Sequence, residues 1–198
     1  MRKIIVSMNV TLDGCMAGPD YELDWHFRYW DEEMSDHASL QLSNADTILM
    51  GRVTYNAMSK YWPYVINEPS YPRADIPFAE MMNNHRKIVF SGTLKSVSWN
   101  NTRLAKLNDR KKIMKLKKRA GKNIIIYGSG RVVSALMRWG LIDEYLLWIH
   151  PVVLSNGQQL FKALENDMSL ELDTVKKFNS GVVLVCYHAG KNQDTSQW

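Results

Sequence analysis

The stretch IIIYGSGRVVSAL, Ile124 to Leu136, restricts the fold more than any other part of the sequence. Three β-branched residues in succession, Ile124 to Ile126, leave no polar face, so a strand here is buried on both sides, as in a parallel sheet covered by helices. After Gly128-Ser129-Gly130, apolar residues return at Val132, Val133, Leu136 and Met137, which is helical spacing. Strand, glycine turn and helix in that order aim backbone N–H groups at the positive end of the helix, where anions bind. The dinucleotide fingerprint of the doubly wound fold requires a third glycine three residues after the second. Position 133 is Val, so that motif is excluded.

The same order recurs along the chain. Thr47 to Met50 is a short apolar strand that turns through Gly51-Arg52-Val53-Thr54-Tyr55 into a helix, and Lys87 to Phe90 ends in Ser91-Gly92-Thr93. Lys3 to Val10 and Glu144 to His150 add strands. Leu170 to Phe178 and Val182 to His188, around Asn179-Ser180-Gly181, read as an antiparallel hairpin. Asp31 opens a helix running to about Ser43, with Glu32 and Glu33 in the first turn where the macrodipole favours carboxylates. Thr11 to Phe27 reads as a loop, Lys60 to Pro77 as an ordered surface loop, and Val97 to Trp99 and Thr102 to Leu107 as weak strands. The expectation is an α/β fold: a mixed, mostly parallel sheet with helices on both faces and a C-terminal antiparallel hairpin. At 198 residues this is one domain, 1–189, followed by a tail, 190–198.

Charge separates two kinds of partner. The net +5 is concentrated between Arg103 and Lys122, where ten cations face only Asp109. A basic face can release counterions on nucleic acid. Here Ile113 and Leu116 give the segment an inner apolar stripe and no aromatic residue is interleaved to stack on bases, so a solvated helix face is the better reading and nucleic acid an unexpected partner. No apolar run approaches the ~18 residues of a membrane span, and Met1-Arg2-Lys3 leads into a strand rather than a signal peptide, so a cytoplasmic protein is expected. Cys15 and Cys186 stand alone, giving neither a metal pattern nor a disulfide framework.

As an ordered set, SMNVTLDGCMAG (Ser7 to Gly18), ILMGRVTY (Ile48 to Tyr55), IVFSGTL (Ile88 to Leu94), IIIYGSGRVV (Ile124 to Val133) and GLIDEYLLWIHPVVLSNGQQLF (Gly140 to Phe161) resemble the dihydrofolate reductase superfamily. The last stretch favours the branch of the riboflavin-biosynthesis reductase. The resemblance implies a three-layer sandwich, NADPH as cofactor, and hydride transfer to a small pyrimidine or pterin derivative such as 5-amino-6-(5-phosphoribosylamino)uracil. True folate reduction is the first alternative, and a non-catalytic nucleotide- or nucleic-acid-binding module the second.

The resemblance also implies roles. Gly51, Arg52 and Thr54 would meet the cofactor's phosphates, Ser91, Gly92 and Thr93 its adenosine end, and Tyr127, Gly128, Ser129, Gly130, Arg131 and Val132 its phosphate and nicotinamide ribose. Asn9, Met16 and Ala17 would flank the nicotinamide ring. Trp25, Arg28 and His150 are expected at the substrate, and Asp31 as the catalytic acid. Arg52 with the hydroxyls of Ser91 and Thr93, and no acidic residue at the end of that strand, point to NADPH over NADH. The apolar strand Tyr145 to Ile149 and the closing hairpin leave an edge to cover, so a homodimer through the C-terminal half is expected.

Overall fold

The computed structural model describes residues 1–162 and 167–190. In chain order its elements are β1 (Ile4–Thr11), β2 (Cys15–Ala17), α1 (Asp24–Phe27), α2 (Glu32–Ser43), β3 (Ala45–Gly51), α3 (Arg52–Met58), α4 (Trp62–Val65), α5 (Ile76–Asn84), β4 (Arg86–Phe90) and β5 (Thr102–Ala105). They continue with α6 (Arg110–Lys118), β6 (Asn123–Tyr127), α7 (Gly130–Arg138), β7 (Glu144–His150), β8 (Gln158–Gln159), β9 (Leu170–Lys177) and β10 (Val183–Ala189). Eight strands form one sheet in the order β5-β4-β3-β6-β1-β7-β10-β9. The run from β5 to β7 is parallel, and β10 pairs antiparallel with both β7 and β9.

The sheet is the middle of three layers. Ile4, Val6, Met8 and Val10 of β1 face α6 and α7 in one core, where Ile113, Leu116, Val133 and Leu136 meet Ile124 and Ile126. On the other face, Leu42 of α2 and Met82 of α5 pack on Ile48, Met50 and Ile125, and Met34 and Ala38 of α2 pack on Trp148 and Leu184. β1 therefore has two unlike faces. Its even positions are apolar throughout, whereas the odd positions under α2 change from Ile5 to Ser7, Asn9 and Thr11 toward the carboxyl end. Each of the three polar side chains is hydrogen-bonded, Ser7 to Gln41, Asn9 to His150 and Thr11 to Asp13, so this end of β1 carries a buried polar network where its other face is apolar.

Several sequence expectations need correction. Thr11 to Phe27 contains β2, which pairs with β8, and the single turn α1; elements this short form only through partners far along the chain. The segment Lys60 to Pro77 folds into α4 and a 3₁₀ turn at Arg73–Asp75, and α5 begins inside it with Pro77 in the first turn, where proline's missing N–H costs nothing. Val97 to Trp99 is not a strand. Side chains anchor it instead: Ser98 N–H donates to the Tyr55 hydroxyl at 3.0 Å and Trp99 Nε1–H to Asn83 Oδ1 at 2.6 Å. The basic helix α6 is a solvated face with an exception, since Lys117 is buried and its Nζ donates to Asp143 at 2.6 Å and to the Leu141 carbonyl at 3.0 Å. A groove of about 220 Å³ between β5 and α6 gathers Arg103, Lys106, Lys112, Lys115 and Arg119. Apart from Gly190, the expected tail lies outside the described residues.

Lys87 joins β4 to α5. It is fully buried, and its Nζ donates to the carbonyls of Met82, Asn83 and His85 at 2.6, 3.1 and 2.9 Å, at the C-terminal end of the helix dipole. Burial without a carboxylate lowers its pKa to about 8.

Candidate functional site

Three strand ends, of β3, β4 and β6, carry the small-residue turns, and a single hydroxyl joins two of them. Ser129 Oγ accepts the Gly51 N–H at 2.8 Å and lies 2.8 Å from Thr54 Oγ1 and 3.0 Å from the Tyr127 carbonyl. This geometry needs consecutive left-handed residues, Gly128 at φ 54° and Ser129 at φ 65°. A Cβ on Gly128 would stand 2.9 Å from Thr54 Oγ1, and one on Gly130 would collide with the Met16 thioether. Met16 of β2 thus lies over the start of α7. Asp13 holds the loop before β2 by accepting from the Thr11 hydroxyl at 2.5 Å and from Ser155 N–H at 2.9 Å, and the Thr11 bond in particular keeps its carboxyl below the usual range.

This rim suits a dinucleotide. Val132 and Val133 are the first N–H groups of α7 to bond the Ser129 carbonyl, so those before them face outward from the turn. Arg52 and Arg131 are exposed and, among the described residues, take no part in an ion pair. Gly92 has open space where a side chain would be. Ser91 and Thr54 are also used internally, Ser91 Oγ accepting from Thr93 N–H at 3.1 Å and Leu94 N–H at 2.9 Å.

A second region lies under α1 and α2 at the carboxyl ends of β6, β1 and β7. His150, fully buried, donates Nε2–H to Asn9 Oδ1 at 3.0 Å. Trp25 meets the His150 ring edge-on with centroids 5.2 Å apart, and His26 and Tyr29 approach it at 5.9 and 6.0 Å. Next to Asn9, Trp148 Nε1–H donates to Ser7 Oγ at 3.1 Å, which in turn donates to Gln41 Oε1 of α2 at 3.2 Å. Ser7 is the register partner of Tyr127 in β6. Four buried side-chain atoms here have no protein hydrogen-bond partner: Trp25 Nε1, Gln41 Nε2, Tyr127 Oη and His150 Nδ1. They include every such orphan among the described residues, and they lie along the sheet face covered by α1, α2 and α5, here called the slot. Burial, then the neighbouring His26, lowers the His150 pKa to about 4, and burial lowers that of His26, so both rings are neutral at pH 7.

Two further expected residues make local contacts. Asp31 caps α2, its Oδ1 accepting from Met34 N–H at 2.8 Å. Arg28 is exposed and lies over the Tyr29 ring at 5.2 Å, outside the slot. The sequence reading missed Ser7, His26, Tyr29 and Gln41. The alternation Ser7-x-Asn9-x-Thr11 in a strand read as buried was the available signal.

The model of the RibD C-terminal domain family matches residues 2–184. The uncharacterised Bacillus subtilis protein YyaP is 34% identical over 187 residues, which is 94% of this chain and 95% of YyaP. Among solved structures, a pyrimidine reductase-like protein from Corynebacterium diphtheriae superposes with a TM-score of 0.66 at 14% identity, over 96% of this chain and 93% of that one. A Thermotoga maritima diaminohydroxyphosphoribosylaminopyrimidine deaminase/5-amino-6-(5-phosphoribosylamino)uracil reductase superposes at 0.65 with 17% identity, over 96% of this chain and 57% of that protein. These likenesses are to the dihydrofolate-reductase-like fold, with its mostly parallel sheet and closing antiparallel pair.

Proposed function

The chain belongs to the RibD C-terminal domain family, and from that premise we propose that it is an NADPH-dependent reductase that passes hydride to a pyrimidine or pterin derivative. The observation that carries this reading is the slot: four unsatisfied buried polar atoms on one face of the sheet, one of them the hydroxyl of Tyr127, whose backbone carbonyl accepts from Ser129 in the glycine turn. Buried polar groups are nearly always paired, so four orphans in one place favour a polar ligand as their partner.

On this reading Arg52 and Arg131 bind the cofactor's phosphates, and the glycines let the backbone of residues 128–130 approach it. Met16 and Ala17 of β2 cover the ring side and exclude water. Bound NADPH supplies the hydride. Neutral His26 and His150 orient the substrate and are poor proton donors. The second carboxylate oxygen of Asp31, beyond the one that caps α2, is proposed to orient the water that delivers the proton. The exposed Arg52 and the hydroxyl turn of Ser91 and Thr93 support a preference for NADPH over NADH. Edge strand β9, with Leu172 and Val175 more than half exposed, supports a homodimer, for which light scattering is expected to return about twice the 22.9 kDa of one chain.

The test is NADPH oxidation with the ribosylaminopyrimidine and with dihydrofolate presented separately, repeated with Asp31→Asn. Turnover of the pyrimidine is expected, with a loss of ~10²-fold in the variant. Faster turnover of dihydrofolate overturns the branch, and an unchanged Asp31→Asn rate removes Asp31 from the mechanism.

A further inference from the structure

Two of the unsatisfied atoms sit on touching rings and have opposite character. A carboxamide oxygen only accepts, so the hydrogen bond to Asn9 Oδ1 places the His150 proton on Nε2. That leaves Nδ1 as a bare acceptor, buried and without a protein donor. The indole Nε1–H of Trp25, on the ring packed edge-on against His150, is a donor without a protein acceptor. An apolar occupant would leave both groups unpaired in a low-dielectric environment, where that is most costly. An occupant carrying a single acceptor, such as a carboxylate, would satisfy Trp25 and repel the lone pair of His150.

We propose that His150 is a fixed hydrogen-bond acceptor for the substrate, held in the Nε2–H tautomer by Asn9, and that with the Trp25 donor it selects a heterocycle edge carrying an N–H beside a carbonyl or ring nitrogen. The proposal rests on the slot being the substrate pocket. It makes Asn9 a positioning residue, acting through the imidazole. Both ring atoms are sealed from solvent, so α1, which carries Trp25 and His26, has to swing outward to admit the ligand. That helix is a single turn with no side-chain cap, and its N-cap Leu23 and final residue Phe27 are exposed, so little holds it down beyond the Trp25 and His26 rings.

Long-range proton–nitrogen NMR of the full chain reads the tautomer directly. Near pH 7, His150 is expected to be neutral with its proton on Nε2, and Asn9→Leu is expected to release it into a mixture of tautomers. Uracil, which has the N–H and carbonyl edge, is expected to shift both His150 Nδ1 and the Trp25 indole proton. 1,3-Dimethyluracil, which lacks the N–H, is expected to bind at least about tenfold more weakly. His150→Gln, which keeps an acceptor, is expected to retain more uracil binding than His150→Phe. A proton on Nδ1 in the free protein overturns the acceptor assignment, as do equal binding of the two probes or no shift at either nitrogen at millimolar uracil. None of these readouts needs cofactor or turnover, so uracil binding as described without any NADPH oxidation would sink the reductase reading alone.

Discussion

At the rim, one hydroxyl, Ser129 Oγ, takes the Gly51 N–H and closes on Thr54 and the Tyr127 carbonyl, so the turns of β3 and β6 satisfy each other. In the slot, which begins at the side chain of the same Tyr127, four polar atoms find no protein partner. The two regions share a strand end and differ in what completes them. The rim is a preorganised frame whose shape does not depend on a ligand, whereas the slot sacrifices stability of the free protein for groups that only a ligand or water can pair. Binding surfaces of the first kind tolerate little backbone change, and those of the second kind can be stabilised by mutation at the expense of function.

Changes at the rim test its rigidity. Gly128→Val forces a β-branched residue into the left-handed region against Thr54 and is expected to cost about 2 to 4 kcal/mol in denaturant unfolding, with loss of NADPH binding. A cost under about 1 kcal/mol would mean that the turn is not the frame described. Ser129→Ala removes the shared hydroxyl and strands the Gly51 N–H; about 1 to 3 kcal/mol is expected by the same measurement.

Acid tests the slot. The His150 pKa is lowered from 6.5 to about 4 in the folded protein, so the unfolded chain binds the extra proton first as pH falls. Its contribution to stability is fully present above about pH 6.5 and is lost as pH falls toward about 4, at no more than about 1.4 kcal/mol per pH unit. His26, which faces it, and the partly buried His37 on α2 are shifted in the same direction and steepen the slope. Thermal unfolding of wild type and His150→Gln across this range should show the shallower slope in the variant; parallel curves would mean that His150 is charged or exposed when folded. The smallest effect separates the two regions most cleanly. Gln41→Leu removes the orphan amide N–H but also the acceptor of the Ser7 hydroxyl, effects of opposite sign, so stability is expected to change by less than about 1 kcal/mol while substrate binding weakens. A clear destabilisation would show that Gln41 is a structural group.

The sequence made the rim legible because its signal is local: strand, glycine and helix within about ten residues, governed by φ and by helix geometry. The sheet could be read for the same reason, since Ile124 to Ile126 and Glu144 to His150 announce buried strands. The slot could not be assembled that way. Its central hydrogen bond joins Asn9 to His150 across 141 residues, and Gln41 reaches Ser7 only because α2 packs on β1. Trp25 was singled out through family resemblance and His150 through its place at the end of a strand, and Asp31, expected as an acid, also caps α2. Polarity in alternate positions of a buried strand, Ser7, Asn9 and Thr11, was the one local sign of the slot.

The most direct measurement is equilibrium titration of NADPH, and then of the pyrimidine substrate, into wild type and a Trp25→Phe, Gln41→Leu double variant, followed by calorimetry. The NADPH dissociation constant is expected to be the same in both proteins, because the rim is complete without the slot, while substrate affinity falls by about tenfold or more in the variant, a loss of ~1.4 kcal/mol or greater. Equal loss of both ligands would mean that rim and slot are one cooperative unit, and unchanged substrate affinity would mean that the unsatisfied atoms do not face the substrate.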